Sequence, residues 1–304
     1  MSVPLRIALI ENAVYMKEEH FFMKKSLTGI VCLLALITGA LSSCTPTTFN
    51  NEKLIIGLEC DYAPFNWMEP NENEHTLKVA NKNIYADGYD IQMAKILGNK
   101  LGIEVEIHQI EWGSLIPELQ FGTINAVIAG MTDTAERRMT IDFTNEYYRS
   151  ELVLIVPENV ASQYTNALTP TEFGTLINDK PVVSQADTVT DDVIEIFENE
   201  YGAIHANPVA SFSLAALDVI SGSAFAMTAE LPVAKSITSS LEGLGIIHID
   251  QSILGDAQSE LGVSIGIAKG NTELCDRLNT ALAEISQQER NRLMEEAVSR
   301  SHEE

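Results

Sequence analysis

Basic residues are scarce in this chain. Lysine and arginine total 19 against 43 aspartates and glutamates, giving a formal net charge of −24. Such an acidic surface argues against nucleic acid and anionic membrane as partners, since both repel it. It mildly favours cationic small molecules, through attraction that salt screens. Cysteine is also scarce: there are four, none spaced as CxxC, which argues against a zinc site. Long apolar runs are missing too. The longest, Leu27 to Leu41, is too short to span a bilayer comfortably. What remains is a chain of 304 residues, 45% hydrophobic, long enough for one large or two medium domains with real cores.

The most informative stretch is Gly130-Met131-Thr132-Asp133-Thr134-Ala135-Glu136-Arg137-Arg138, followed by Asp142-Phe143-Thr144 and Tyr147-Tyr148. The apolar run Ile124 to Ala129 reads as a buried strand. It ends in Gly130, where backbone can approach a ligand closely. Thr132 and Thr134 offer hydroxyls, and Thr134 is placed to cap a short helix beginning Ala135-Glu136-Arg137. Free amides at a helix start favour an anion. The planar fork of Arg137 fits a carboxylate at both oxygens. The stretch suits a small carboxylate held at a strand end; an ordinary strand–turn–helix with a surface arginine pair would use the same residue types.

Gly-Met-Thr-x-Thr-x-x-Arg with Asp142-Phe143-Thr144 and Tyr147-Tyr148 resembles the signature of the family 3 extracellular solute-binding proteins, the polar amino-acid-binding components of ABC importers. The resemblance runs from about Leu54 to the last helix. After the strand Leu54 to Leu58, Glu59-Cys60-Asp61-Tyr62-Ala63-Pro64-Phe65 is similar to the family's opening motif, which implies that Glu59 and Tyr62 face the ligand side chain. A solvated loop acid and a core aromatic are the plain alternatives. Gly88-Tyr89-Asp90 opens a helix ending at Leu101, with a scaffold role. Trp112 in Trp112-Gly113-Ser114-Leu115-Ile116-Pro117 matches the family's apolar wall against the side chain, or is an ordinary core tryptophan. In Gln185-Ala186-Asp187-Thr188 the family's Gly-Thr-Thr is altered; Thr188 keeps the hydroxyl, and Asp187 sets a negative charge near a carboxylate site unless it meets a cation. Thr190 or Asp191 is the expected cap of the next helix. Glu230 stands where the family places an acid on the ligand ammonium, though an acid can also cap the helix near Pro232. The segment to Glu304 is charged, helical in pattern and expected to fray.

Ahead of the domain, Lys24-Lys25, the run Leu27 to Leu41 and Leu41-Ser42-Ser43-Cys44 read as a secretory signal with a lipobox. Cys44 would be the lipidated N-terminus, with residues 45–52 a tether and the folded part outside the cytoplasm, anchored to the cell membrane. Residues 1–22 sit oddly before such a signal, which suggests a true start at Met23; N-terminal sequencing of the precursor tests this, and a precursor beginning at Met1 would refute it. Export permits a disulfide between Cys60 and Cys275, whose geometry the sequence does not give.

The expected fold is α/β, of the type II periplasmic-binding-protein kind: two lobes joined by two crossing strands, with the ligand in the cleft. Lobe 1 is residues 53–151 and 251–304, and lobe 2 is residues 152–250. Arg137, Thr132 and Thr188 are expected to hold the ligand carboxylate. Glu230, Gly130 and Thr132 would take the ammonium, and Glu59, Tyr62, Trp112 and Asp187 the side chain. A pocket holding Glu59 suits a cationic or amide side chain; a basic amino acid comes first, then glutamine or a cystine-like ligand. The expected partner is an ABC permease, with the chain a monomer and neither cofactor nor metal. The alternatives on the same fold are a secreted cyclohexadienyl dehydratase, which lacks a motif histidine here, a sensor domain and a lytic transglycosylase.

Overall fold

Apolar runs four to six residues long, separated by amphipathic helices, build two parallel-cored sheets in sequence order. The structure, a computed structural model, describes residues 53–301; the signal region, Cys44 and the tether lie outside them. Strand β1 (Lys53–Leu58) leads into a small meander, β2 (Asp61–Tyr62), β3 (Asn66–Glu69), β4 (Leu77–Lys78) and β5 (Tyr85–Asp87). These four short strands form their own sheet, in the order β2-β3-β5-β4. Helix α1 (Tyr89–Leu101) follows, stopped by Gly102 at φ 68°, where a left-handed residue closes the last turn. Next come β6 (Glu104–Gln109), α2 (Leu115–Phe121), β7 (Ala126–Val127) and β8 (Ile141–Arg149). Strand β7 is shorter than the apolar run 124–129 predicts, because its backbone pairs with β1 only at Ala126 and Val127.

At Leu152 the chain enters a second sheet. It is built from β9 (Leu152–Pro157), α3 (Pro170–Ile177), β10 (Pro181–Val183), α4 (Val189–Tyr201), β11 (Ile204–His205), α5 (Phe212–Ser221), β12 (Ala226–Glu230), α6 (Leu231–Ser240) and β13 (Leu244–His248). Two 3-10 turns within Gln251–Glu260, kinked at Gly255, return the chain to the first sheet at β14 (Gly262–Ala268), and helices α7 (Thr272–Ala283) and α8 (Gln287–Arg300) finish it. The first sheet runs β6-β1-β7-β14-β8 and the second β11-β10-β12-β9-β13. In each, the strands from the βα units are parallel and the strand next to the crossing is antiparallel. The two crossings are tied together. The side-chain amide of Gln251 donates to the Leu152 carbonyl at 2.9 Å, and its oxygen accepts from the Leu152 amide at 3.0 Å.

Two local expectations are corrected. The cap of α4 is Thr188, not Thr190 or Asp191: its Oγ1 accepts from the Asp191 amide at 3.2 Å. The C-terminal helix is held rather than frayed. Leu293, Met294 and Ala297 are buried, and Arg300 makes a two-pronged contact with the buried Asp87 at 2.8 and 2.9 Å. Cys60 and Cys275 are both free thiols.

Candidate ligand-binding site

Open α/β sheets bind ligands beyond the carboxyl ends of their strands, and here both sheets aim those ends at one cleft. From the first lobe, Glu59 follows β1, Tyr62 ends β2, Trp112 opens a single 3-10 turn before α2, and Gly130 and Thr132 follow β7. Arg137 does not start a helix of useful length. It begins a three-residue 3-10 turn, Arg137–Met139, whose first amide donates to Thr134 Oγ1 at 3.2 Å. So short a turn carries little dipole; the anion-attracting group on this side is the guanidinium itself. From the second lobe come Gln185 after β10, Thr188, Val189 and Thr190 at the start of α4, Phe212 at the start of α5, and Glu230 at the end of β12. Together these residues and Leu261 line a tight cavity of about 20 Å³, far below the ~300–1,000 Å³ of an open small-molecule cleft.

The lobes meet across this space through polar contacts. The Tyr62 hydroxyl donates to Glu230 Oε2 at 2.6 Å. Gln185 Nε2 donates to Glu59 Oε2 at 3.1 Å. The Asp187 carbonyl accepts from Trp112 Nε1 at 3.0 Å and from Arg137 at 2.8 Å. The other guanidinium nitrogen of Arg137 holds Thr132, at 2.9 Å to its carbonyl and 2.6 Å to its hydroxyl. The Tyr62 ring is stacked between Phe65 of its own lobe, 5.1 Å away, and Phe212 of the other, 4.8 Å away. The Trp112 ring lies under the Arg137 guanidinium, 5.3 Å from centroid to Cζ, a cation–π arrangement within the protein.

The charges in the cavity are unbalanced. Arg137 forms no ion pair among the described residues, and burial lowers its pKa. Glu59 is buried with one amide donor, and burial pushes its carboxyl up to about 7. Glu230 is buried as well, and burial raises its pKa; the Tyr62 hydrogen bond opposes this. Although Glu230 is the N-cap residue of α6, its side chain makes no cap hydrogen bond there; it is turned to Tyr62 instead. The cavity therefore presents one cation and two carboxylates, none paired with an opposite charge. Desolvated charges are costly without partners, so the arrangement fits a molecule bearing one carboxylate and two cationic groups.

Of the residues singled out in the sequence, Glu59, Tyr62, Trp112, Gly130, Thr132, Arg137, Thr188 and Glu230 line the cavity. Asp187 does not. It sits at φ 60° and is exposed, on a separate depression outside Trp112 and Arg137, and its hydrogen bonds to the site come from its carbonyl. Its carboxylate still acts on Arg137 through space, opposing the effect of burial there. Five lining residues were missed: Gln185, Val189, Thr190, Phe212 and Leu261. Gln185 directly precedes the recognised loop, and its polar side chain after a buried strand is a signal that could have found it. Phe212 reads in sequence only as a helix-starting apolar residue.

Two α/β lobes, crossed twice by the chain and closed over a small polar cavity, define a solute-binding protein. The family model of the bacterial extracellular solute-binding proteins, family 3, matches residues 54–298, and the chain belongs to that family. It is 34% identical to the arginine-binding extracellular protein ArtP of Bacillus subtilis over 137 residues, a match spanning 44% of this chain and 48% of that protein, about half its length. It is 24% identical to the L-arginine-binding protein of Pseudomonas aeruginosa over 246 residues, covering 80% of this chain and 86% of the relative. Among solved structures, AbpA from Streptococcus pneumoniae, an amino acid ABC transporter substrate-binding protein bound to L-arginine, superposes with a TM-score of 0.67 at 22% identity, over 83% of this chain and 97% of that one. An ancestral arginine-binding protein bound to arginine does so at 0.62 and 26% identity, over 80% and 97%.

Proposed function

We propose that this chain captures a basic L-amino acid, with arginine the first candidate and lysine and ornithine next, and delivers it to an ABC permease. The observation that carries this reading is the charge pattern of the closed cavity: unpaired Arg137 at one side, and buried Glu230 and Glu59 at others. The ligand carboxylate would lie against Arg137 and the start of α4, where among the described residues no backbone acceptor takes the amides of Val189 and Thr190. The α-ammonium would lie by Glu230, Thr132 and Gly130. The cationic side chain would reach Glu59, with Tyr62 and Trp112 as its walls. Ligand contacts from both lobes would favour the shut form over an open one. The described residues include no helix long and apolar enough to cross a membrane; membership of an extracellular family supports a location outside the cytoplasm, and attachment through a lipid on Cys44, with the protein a monomer, completes the proposal.

A thermal-shift panel of the twenty amino acids plus ornithine and cystine tests it. A ligand at a hundred times its dissociation constant adds roughly 2.7 kcal/mol of stability. Shifts with arginine, lysine or ornithine, and none with leucine or glutamate, are expected. A shift of equal size with leucine would refute the reading, and turnover of prephenate or arogenate would replace it with the dehydratase.

A further inference from the structure

Behind the cavity wall lies a hydrogen-bonded chain that no ligand can touch. Asp90, in the first turn of α1, is fully buried. Its Oδ1 accepts from the Tyr147 hydroxyl at 2.6 Å, and its Oδ2 accepts from Asn66 Nδ2 at 2.9 Å. Asn66 in turn accepts, through Oδ1, from the Cys60 amide at 2.8 Å, so the network is also fastened to the loop after Glu59. The Tyr147 hydroxyl accepts the Gly130 N–H at 3.0 Å. The network thus ends on the one backbone unit in the cavity wall that carries a positive φ, Gly130 at 60°.

That unit is fixed from two sides. Its amide is held from behind by Tyr147. In front it lies against the Tyr62 ring: a Cβ at Gly130 would sit 2.7 Å from Tyr62 Cε1. Among the described residues no backbone amide donates to the Gly130 carbonyl, so this oxygen is free of the main-chain ladders that occupy the neighbouring strands. Asp90 also has no ion-pair partner among the described residues, and burial pushes its carboxyl up to about 7, so a cation brought near favours its ionised form.

We propose that Asp90 and Tyr147 are positioning residues for the ammonium end of the ligand: through the Gly130 amide they set the peptide at which the α-ammonium binds, and the Asp90 carboxylate adds negative potential behind it. The inference rests on the amino-acid reading above and extends it to residues outside the cavity. The sequence gives Asp90 only a scaffold role, and a purely structural role makes a different prediction.

The test compares L-arginine with its desamino analogue, in which hydrogen replaces the α-ammonium. Affinities are measured by calorimetry for the wild type, Tyr147→Phe and Asp90→Asn, with circular dichroism confirming the fold. Both variants should weaken L-arginine at least tenfold and leave the desamino analogue within about twofold of its wild-type affinity. Equal losses for the two ligands would mean a structural role and overturn the inference; so would no loss for either. Should neither variant fold, the Gly130 amide resonance of the wild type gives the readout: it should move on adding L-arginine and stay put with the desamino analogue, and equal movement overturns the proposal. A wild type that binds neither compound would bring down the amino-acid reading itself, and this inference with it.

Discussion

Glu59 links ligand affinity to pH in a direction the structure fixes. Its carboxyl is buried with a single amide donor, and burial raises its pKa from 4.5 to about 7. A cationic ligand side chain beside it would restore the ionised form and bring the pKa back towards its ordinary value. Binding then releases a proton, and affinity rises with pH through the window from about 4.5 to 7. Taking 7 for the free protein and 4.5 for the complex, affinity for L-arginine should be about 70-fold higher at pH 8 than at pH 5, or roughly 2.5 kcal/mol. The unliganded protein behaves in the opposite way. The unfolded chain gives up this proton near pH 4.5 and the folded chain near 7, so the folded state holds the extra proton between them. Stability is therefore greatest at the acid end and falls as pH rises, by about 3 kcal/mol for this one group. Calorimetry of L-arginine across that range, with thermal midpoints of the unliganded protein beside it, reads both trends. Glu59→Gln should flatten its share of each. A wild-type affinity constant within threefold from pH 5 to 8, or a Glu59→Gln variant with the same pH slope as wild type, would refute the reasoning.

Other perturbations test other parts of the molecule. Arg137→Ala should weaken L-arginine by about 2–5 kcal/mol, the usual loss when one member of a buried charge pair is removed; calorimetry showing less than threefold loss would place the carboxylate elsewhere. Gly130→Ala adds a Cβ that meets the Tyr62 ring at 2.7 Å on a backbone with φ 60°, so it should lower the melting temperature by at least about 2–4 °C, from a left-handed cost of about 1–2 kcal/mol, and lose L-arginine binding. Arg300→Ala leaves Asp87 buried without its cation at 2% exposure, and should cost about 3–5 kcal/mol of stability, read as a melting temperature lower by roughly 6–20 °C; an unchanged melting temperature would mean that α8 is as loosely held as its charged sequence suggests.

The elements legible in the sequence were those with strong local signals. Helix α1 ends at Gly102 and α5 at Gly222, because left-handed glycines end helices whatever lies around them. Strand β9 was readable as a pure apolar run, Leu152 to Pro157, since it is buried in mid-sheet. What was not legible depends on contacts distant in sequence. The hold on α8 comes from Asp87, 213 residues earlier, and no local pattern announces it. Strand β7 is cut short by the partners available to it, not by its own residues. In the site, the motif residues arrived at the cavity as a group, whereas the position of Asp187 outside the cavity depends on one backbone torsion and the role of Gln185 on an acid 126 residues away. The network behind Gly130 was hidden for the same reason: Asp90 reads as part of a helix and Tyr147 as part of the signature, 57 residues apart, with nothing local to join them.

The central claim is that the cavity selects a cationic side chain. The most direct measurement is calorimetric comparison of L-arginine with L-citrulline, which has nearly the same shape and no side-chain charge. The account predicts at least a hundredfold preference for arginine, in line with the several kcal/mol lost when a buried charge is left without its partner. Equal affinities would show that the buried carboxylate of Glu59 does not read the ligand's charge, and would contradict the account.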